Sequence, residues 1–447
     1  MKKVITYGTY DLFHYGHQRL LERAKAMGDY LIVGVTSDDF DKARGKINVE
    51  QSLMERMESV KQTGLADEII VEEYEGQKID DIQRYDVDVF AIGDDWKGKF
   101  DYLKEYCEVV YLDRTQGVSS TELRAKRNTI RLGLVGKYEG IRKYAREAAF
   151  VNGLEIVGAY TKDKTRFAAE FPDVGLLVDN YSDLLQTVDA VYIVSSPMLH
   201  YEQIREALFK GKHVLCECPT VLKVEQYEEL SKLAKERGLV LMDSIKTAYG
   251  MAYNRLILLL KGGKIGRVVS VDSVCTSLED FDKNGDKELG DKNNSINAWG
   301  PTALLPVLQL LGPEYRSKVI TSSFINKEQH FDSFTKIAFI YDHAVASIKV
   351  GKGVKSEGEL VISGTRGYVY VPAPWWKMDY FELRYEDPNL NRRYFYQLDG
   401  EGIRYELVQF VKAIEKGRLG NYIQFATSKA IIQIVEDFYC GKDVVEI

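Results

Sequence analysis

The 447-residue sequence predicts an α/β fold, and three observations carry that prediction. Short apolar runs alternate with helical apolar spacings from the first residues onward, the alternation breaks and restarts near residue 130, and from Val268 strand patterns take over. A chain this long exceeds a single core and divides into two or three domains. The boundaries predicted are a Rossmann-like unit over residues 1–127, a second Rossmann-like unit over 131–245 and an open-sheet α+β unit over 246–447.

The first strand, Lys3 to Tyr7, runs directly into Gly8-Thr9-Tyr10-Asp11-Leu12-Phe13-His14-Tyr15-Gly16-His17. The helical pattern Leu20, Leu21, Ala24, Met27 follows, so two imidazoles stand where a strand hands over to a helix. A turn of this kind gathers backbone N–H groups at the positive end of a helix dipole, which suits a phosphate. Histidines three apart add donors that follow charge as it moves during phosphoryl or nucleotidyl transfer. Gly93-Asp94-Asp95-Trp96 closes another strand, Asp88 to Ile92, and Arg114-Thr115-Gln116-Gly117-Val118-Ser119-Ser120-Thr121 follows the strand Glu108 to Tyr111. All three stations lie at carboxyl ends of strands, where open α/β sheets bind ligands. Ser119 and Glu122 have capping-box spacing, so the Arg114 segment is expected to end on a second helix N-terminus.

A charged stretch from Glu122 to Arg131 reads as a short helix-like linker. Beyond it the expected order is strand to Val135, helix from about Ile141, strands Leu154–Tyr160 and Ala190–Val194, and helix Tyr201–Lys210. Strand His213–Cys216, helix Val224–Glu236 and strand Leu239–Asp243 complete that unit. The last unit offers strands Val319–Ile325, Thr335–Tyr341, Ala344–Lys349 and Leu360–Ser363, with helices Tyr405–Lys416 and Ile423–Tyr439.

A formal charge of −7 argues against general affinity for nucleic acid or anionic membrane, so an anionic ligand must be met by local lysine and arginine. No run reaches the roughly 20 apolar residues of a membrane span, and Met1-Lys2-Lys3 leads straight into a strand. A cytoplasmic location without membrane insertion is expected. The five cysteines, Cys107, Cys216, Cys218, Cys275 and Cys440, are scattered; Cys216-Glu217-Cys218 lacks the spacing of a zinc site, and reduced thiols are the simpler reading.

On the residues quoted, together with Met1 to Thr9, Leu21-Glu22-Arg23-Ala24-Lys25 and Gly93 to Asp101, the first unit resembles the glycerol-3-phosphate cytidylyltransferases of the nucleotidyltransferase superfamily, with its H-x-G-H and R-T-x-G-x-S-[ST]-T motifs. The resemblance implies transfer of CMP from CTP to an alcohol phosphate, with Mg²⁺ shielding the triphosphate and no covalent intermediate. It implies that His14, His17, Lys46 and Arg114 are catalytic. Gly8, Thr9, Tyr10, Gly16, Gly93, Asp94, Asp95 and Arg114, Thr115, Gly117, Val118, Ser119, Ser120 and Thr121 would join the two histidines around the nucleotide. Asp38, Lys46 and Lys78 are the acceptor-pocket candidates. Where the family carries an arginine before its D-E-[VI]-I segment, this chain has Gln62-Thr63-Gly64-Leu65-Ala66-Asp67, which leaves glycerol 3-phosphate and glycerol 2-phosphate both open as acceptor.

Residues 131–447 are similar to the glucose-fructose oxidoreductase and inositol dehydrogenase family through Asp189 to His200, Gly211 to Glu217 with Pro219, and Gly364-Thr365-Arg366-Gly367-Tyr368. The family's dinucleotide, NAD or NADP, loses its anchors here. Tyr138 stands at the close-approach glycine of the fingerprint, and Ala159-Tyr160-Thr161 offers no ribose acid. Cys218 replaces the E-K-P lysine, and the acid–histidine pair has no counterpart from Trp299 to Gly312. This half is therefore expected to bind, oligomerise or regulate, giving a homo-oligomer. A bifunctional enzyme whose second half makes the alcohol phosphate by NAD(P)-dependent reduction is the alternative, and a non-catalytic sensor of CTP or NAD is a third.

Overall fold

The computed structural model describes residues 1–37, 49, 51–74, 76–113, 129–279, 281, 293–396, 398, 400–417, 420 and 422–447. Contacts divide the chain into two compact units, Met1–Thr129 and Ile130–Ile447. Among the described residues no helix is long and apolar enough to cross a membrane.

In the first unit, β1 (Lys3–Gly8), β2 (Tyr30–Thr36), β3 (Glu68–Glu72), β4 (Val89–Gly93) and β5 (Glu108–Leu112) form a parallel sheet of order β3-β2-β1-β4-β5. Both faces of a parallel sheet are covered, which explains the unbroken apolar runs. Side chains alternate across it: Val4 enters one core with Leu21, Val33, Val60 and Ala91, and Ile5 enters the other with Ile32, Ile82, Phe90 and Leu103. Helix α1 (Tyr15–Lys25) contributes Leu21, α2 (Leu53–Gln62) contributes Val60, and α3 (Gln77–Tyr85) contributes Ile82. Because β1, β4 and β5 are neighbours, the three motif stations follow adjacent strands. The Arg23 guanidinium ties α1 to the end of β5 by donating to the Asp113 carbonyl at 2.7 Å.

The second unit begins with β6 (Ile130–Gly136) and α4 (Tyr138–Ala148). Then come β7 (Leu154–Tyr160), α5 (Lys164–Glu170), β8 (Leu176–Val178), α6 (Tyr181–Thr187), β9 (Ala190–Val194), α7 (Pro197–Phe209), β10 (His213–Glu217), α8 (Val224–Glu236) and β11 (Leu241–Ser244). Its six-stranded sheet is parallel, in the order β11-β10-β9-β6-β7-β8. The strand order reverses between β6 and β9, where such sheets leave a crevice.

After α9 (Met251–Lys261), a mixed sheet takes over, built from β12 (Val268–Thr276), β13 (Ser317–Asn326), β14 (Phe331–Ile340), β15 (Val345–Gly351), β16 (Leu360–Gly364), β17 (Tyr368–Val371), β18 (Tyr380–Arg384), β19 (Arg392–Phe395) and β20 (Val444–Glu446). Among the described residues its order is β19-β18-β17-β16-β12-β15-β14-β13-β20. Helix α10 (Ser295–Leu311) packs on β12, β14 and β15, while α11 (Ile403–Lys416) packs on α4 and α12 (Phe425–Tyr439) on α8.

Candidate active site

β1 delivers the chain to Gly8, where a Cβ would stand 3.0 Å from the Tyr10 ring. Tyr10 and Leu12 then adopt left-handed φ values of 55° and 48°, a conformation that costs a non-glycine residue about 1–3 kcal/mol and persists only where the surroundings over-determine it. The surroundings here are named. Asp11 is buried and accepts the Gln51 amide at 3.0 Å, the Leu12 amide donates to Gln51 Oε1 at 2.7 Å, and the Tyr10 ring is buried edge-on to His17. Arg56, fully buried on α2, donates from Nη1 to the carbonyls of Thr9 at 2.7 Å and Thr36 at 2.8 Å, and from Nε to that of Gln51 at 3.1 Å. A buried guanidinium is tolerable only when so bonded.

This bracing sets His14 as the N-cap of α1. Its Nδ1 accepts the Gly16 amide at 3.0 Å, while the His14 amide points at His17 Nδ1 at 3.4 Å. Two imidazoles thus form a reciprocal capping box, a role that serine and glutamate fill more often. The rings stack with centroids 3.9 Å apart and 21° between planes. With Nδ1 accepting in both, each neutral ring carries its proton on Nε2 and is an N–H donor beside the positive end of α1.

The remaining predicted residues fall into different settings. Gly93 closes β4 and caps the short helix Asp94–Trp96, with Asp94 half-buried and Asp95 exposed. Lys78 is 7% exposed and salt-bridged to the fully buried Glu72 at the carboxyl end of β3, with its ammonium 4.7 Å from the Tyr7 ring centroid. Glu72 also accepts the Thr36 hydroxyl at 2.9 Å. That setting holds Lys78, an acceptor-pocket candidate, in a buried ion pair. Asp38, Lys46, Arg114, Thr115, Gly117, Val118, Ser119, Ser120, Thr121 and residues 122–128 of the expected linker lie outside the described residues, while its last residues, Ile130 and Arg131, belong to β6. Sequence reasoning overlooked Asp11, Gln51 and Arg56. A signal for Arg56 was present, because Leu53, Arg56, Met57 and Val60 form one helical stripe with a cation in the middle.

In the second unit a cleft of about 1080 Å³ opens over the carboxyl ends of β6, β9, β10 and β11, lined by Lys137, Ser195, Glu217, Cys218 and Ser244 among others. Gly136 and Gly140 keep the packing roles of a dinucleotide fingerprint. A Cβ on Gly136 would lie 2.5 Å from the Val194 backbone, and one on Gly140 would lie 2.7 Å from the Val194 side chain. Between them the Tyr138 ring is buried, its hydroxyl bonded to Glu170, with the Arg166 guanidinium 4.1 Å from the ring centroid. That cluster joins α4 to α5 beside the ends of β6 and β7, where the pyrophosphate and ribose of a dinucleotide would lie. Neither the close-approach glycine nor a ribose acid of a dinucleotide site stands at these positions.

Other positions of the dehydrogenase resemblance are set as follows. His200 is buried between the carbonyls of Pro219 at 3.1 Å and Ser195 at 3.2 Å, and burial drives its imidazole down to about 4. Burial pushes the Cys218 thiol well up, and α10 faces the cleft with Asn297, Ala298, Trp299, Pro301 and Thr302, none of which titrates near neutrality.

Comparison with known proteins agrees with this division. Residues 5–126 match the cytidylyltransferase-like family, and residues 130–244 match the oxidoreductase family with an NAD-binding Rossmann fold. A glycerol-3-phosphate cytidylyltransferase of Bacillus spizizenii is 57% identical over 124 residues, covering 28% of this chain and 95% of that protein. The chain belongs to the glycerol-3-phosphate cytidylyltransferase family. Unlike that relative, this family member carries a further unit, which is 26% identical over 302 residues to a scyllo-inositol 2-dehydrogenase (NADP(+)) of Bacillus subtilis, covering 65% of this chain and 90% of that protein. A 3-ketoreductase from Actinomadura kijaniata, solved with NADP and TDP-benzene, shares the fold of this added unit at TM-score 0.61 and 20% identity, over 72% of this chain and 100% of its own.

Proposed function

We propose that the first unit moves CMP from CTP, taken as its Mg²⁺ complex, to a glycerol phosphate, yielding CDP-glycerol and pyrophosphate. One observation carries this reading: two stacked imidazoles with both Nδ1 atoms engaged stand at the N-terminus of α1, in a chain of this family. An acceptor phosphate oxygen attacks the α-phosphorus, the bond to the bridging oxygen breaks, and pyrophosphate leaves. The Nε2–H groups of His14 and His17 meet the charge that grows on the phosphate oxygens, so the protein contributes position and preorganised donors. Thr9, Gly93, Asp94 and Asp95 border the same sheet edge, and Lys46 and Arg114 through Thr121 complete the nucleotide and triphosphate contacts. Asp38 contributes to the acceptor pocket. Lys78 orders that edge through Glu72.

The second unit serves binding and self-association, with no hydride transfer assigned to it, because Tyr138, Cys218 and the neutral α10 face remove both the dinucleotide seat and the proton relay. Pyrophosphate release from CTP with a panel of alcohol phosphates tests the first part. Glycerol 3-phosphate or glycerol 2-phosphate should support release, and a chain inert with both overturns the reading.

A further inference from the structure

The cleft of the second unit is charged in a way that a vacated dinucleotide crevice does not require. Lys143 on α4, Lys246 in the short helix Lys246–Tyr249 and Lys377 in the short helix Trp375–Lys377 all reach one carboxylate, that of Glu401, at 3.2, 3.5 and 2.6 Å. All four residues line the cleft. Burial opposes ionisation of Glu401, yet Lys377, Lys246 and Lys143 hold its carboxyl down to about 2. Burial lowers the Lys246 ammonium, and the neighbouring Lys143 and Lys377 lower it further against the pull of Glu401 and Glu406. Three cations around one anion leave positive charge over, in a chain whose net charge is −7.

Two further features of the cleft describe the rest of a ligand. Glu217, at the end of β10, is enclosed by the cleft walls yet open to solvent within them, and burial pushes its carboxyl up. Such an oxygen pair takes hydroxyl donors. Opposite in character, Trp299 and Trp376 form an aromatic wall with ring centroids 4.9 Å apart.

We propose that this cleft binds a phosphorylated polyol, with the phosphate on Lys143, Lys246 and Lys377, the hydroxyls on Glu217, and the carbon chain against Trp299 and Trp376. The phosphate takes up the cationic excess that Glu401 leaves. This assignment is read from the second unit alone. It holds whether or not the first unit uses the same class of compound as its acceptor.

The chain's four tryptophans allow a direct test, since Trp96 alone belongs to the first unit and Trp299, Trp375 and Trp376 belong to the second. In the full chain carrying Trp96→Phe, tryptophan fluorescence then reports the second unit. Titration with glycerol 2-phosphate, glycerol 3-phosphate and a hexitol phosphate should give a saturable change with at least one of them, and NADPH none at the same concentrations. The double variant Lys246→Gln with Lys377→Gln should raise that Kd about tenfold or more, the loss expected from removing charge-assisted contacts, with pyrophosphate release from CTP unchanged. Lys377→Gln alone, at a partly exposed side chain, provides the readout if the double variant fails to fold. No saturable change at millimolar polyol phosphates, a change indifferent to the lysine variants, or tighter binding of NADPH each overturns the proposal.

Discussion

His17→Ala removes one Nε2–H donor and half of the reciprocal cap on α1. Deleting a preorganised donor to a developing charge costs roughly 100-fold in turnover or more, whereas losing one capping contact costs about 1 kcal/mol. The expected outcome is therefore a chain that melts near the wild-type temperature while pyrophosphate release at saturating CTP falls by about two orders of magnitude. Turnover above about a third of wild type would take His17 out of the mechanism. Arg56 poses the converse case, because it donates to the backbone carbonyls that hold the turn. Arg56→Leu leaves the carbonyls of Thr9, Thr36 and Gln51 short of a buried donor, at about 1–3 kcal/mol each. Activity should be lost through loosening of the turn, and circular dichroism and thermal melting of the full chain should show the first unit destabilised. An Arg56→Leu chain with unaltered melting and turnover would mean the left-handed turn holds itself.

The elements of the second unit carry a pH dependence of their own. Glu406 on α11 is buried, accepts hydrogen bonds from Tyr144 and Ser244, and burial pushes its carboxyl up to about 7. A carboxyl whose folded value lies above its unfolded one stabilises the fold fully below the unfolded value, near 4.5, and that stability is lost as pH rises through about 7. The shift corresponds to about 3 kcal/mol. Glu406→Gln should match the wild type in melting temperature near pH 5 and exceed it near pH 8, and parallel pH profiles for the two proteins would refute the assignment. At this same scale the sequence was most legible. Helix Val224–Glu236 and strand Ala190–Val194 match their expected bounds, because amphipathic spacing and buried β-branched runs dominate there. Helix α7 begins at Pro197 rather than Tyr201, since proline is at home in a first helical turn. The strands β17 to β19 at one end of the mixed sheet escaped notice, being four or five residues each with mixed polarity. The H-x-G-H spacing names His14 and His17, and the structure brings their rings together at the N-terminus of α1. Site residues were not legible where the chemistry is a buried cation on backbone carbonyls, as with Arg56.

For the whole molecule, the question is what a second unit adds to a relative that this chain matches over 95% of its length with the first unit alone. A truncation ending near Arg127 retains β1 to β5 and every motif station, so it should still release pyrophosphate from CTP and a glycerol phosphate. A folded but inert fragment would show that the second unit contributes to the reaction. The full chain differs from that fragment by a mixed sheet whose outer face carries Val319, Ile340, Val345 and Phe395, all about half exposed or more. Ile340 and Val345 lie directly across from each other on β14 and β15, so they form an exposed apolar pair on strands that need no further partner within the chain. Patches of that kind are covered in most soluble proteins by association. The full chain should run as a dimer or larger by light scattering at micromolar concentration, the fragment should show a different assembly state, and Ile340→Glu with Val345→Lys should dissociate the full chain without lowering pyrophosphate release. Because Tyr138 stands at the close-approach glycine and Cys218 at the relay lysine, none of these species should oxidise or reduce NAD or NADP with triose phosphates, polyols or sugar phosphates. Cofactor turnover above the no-enzyme background would restore a reductase to the second unit, and a strictly monomeric full chain would remove self-association from its role.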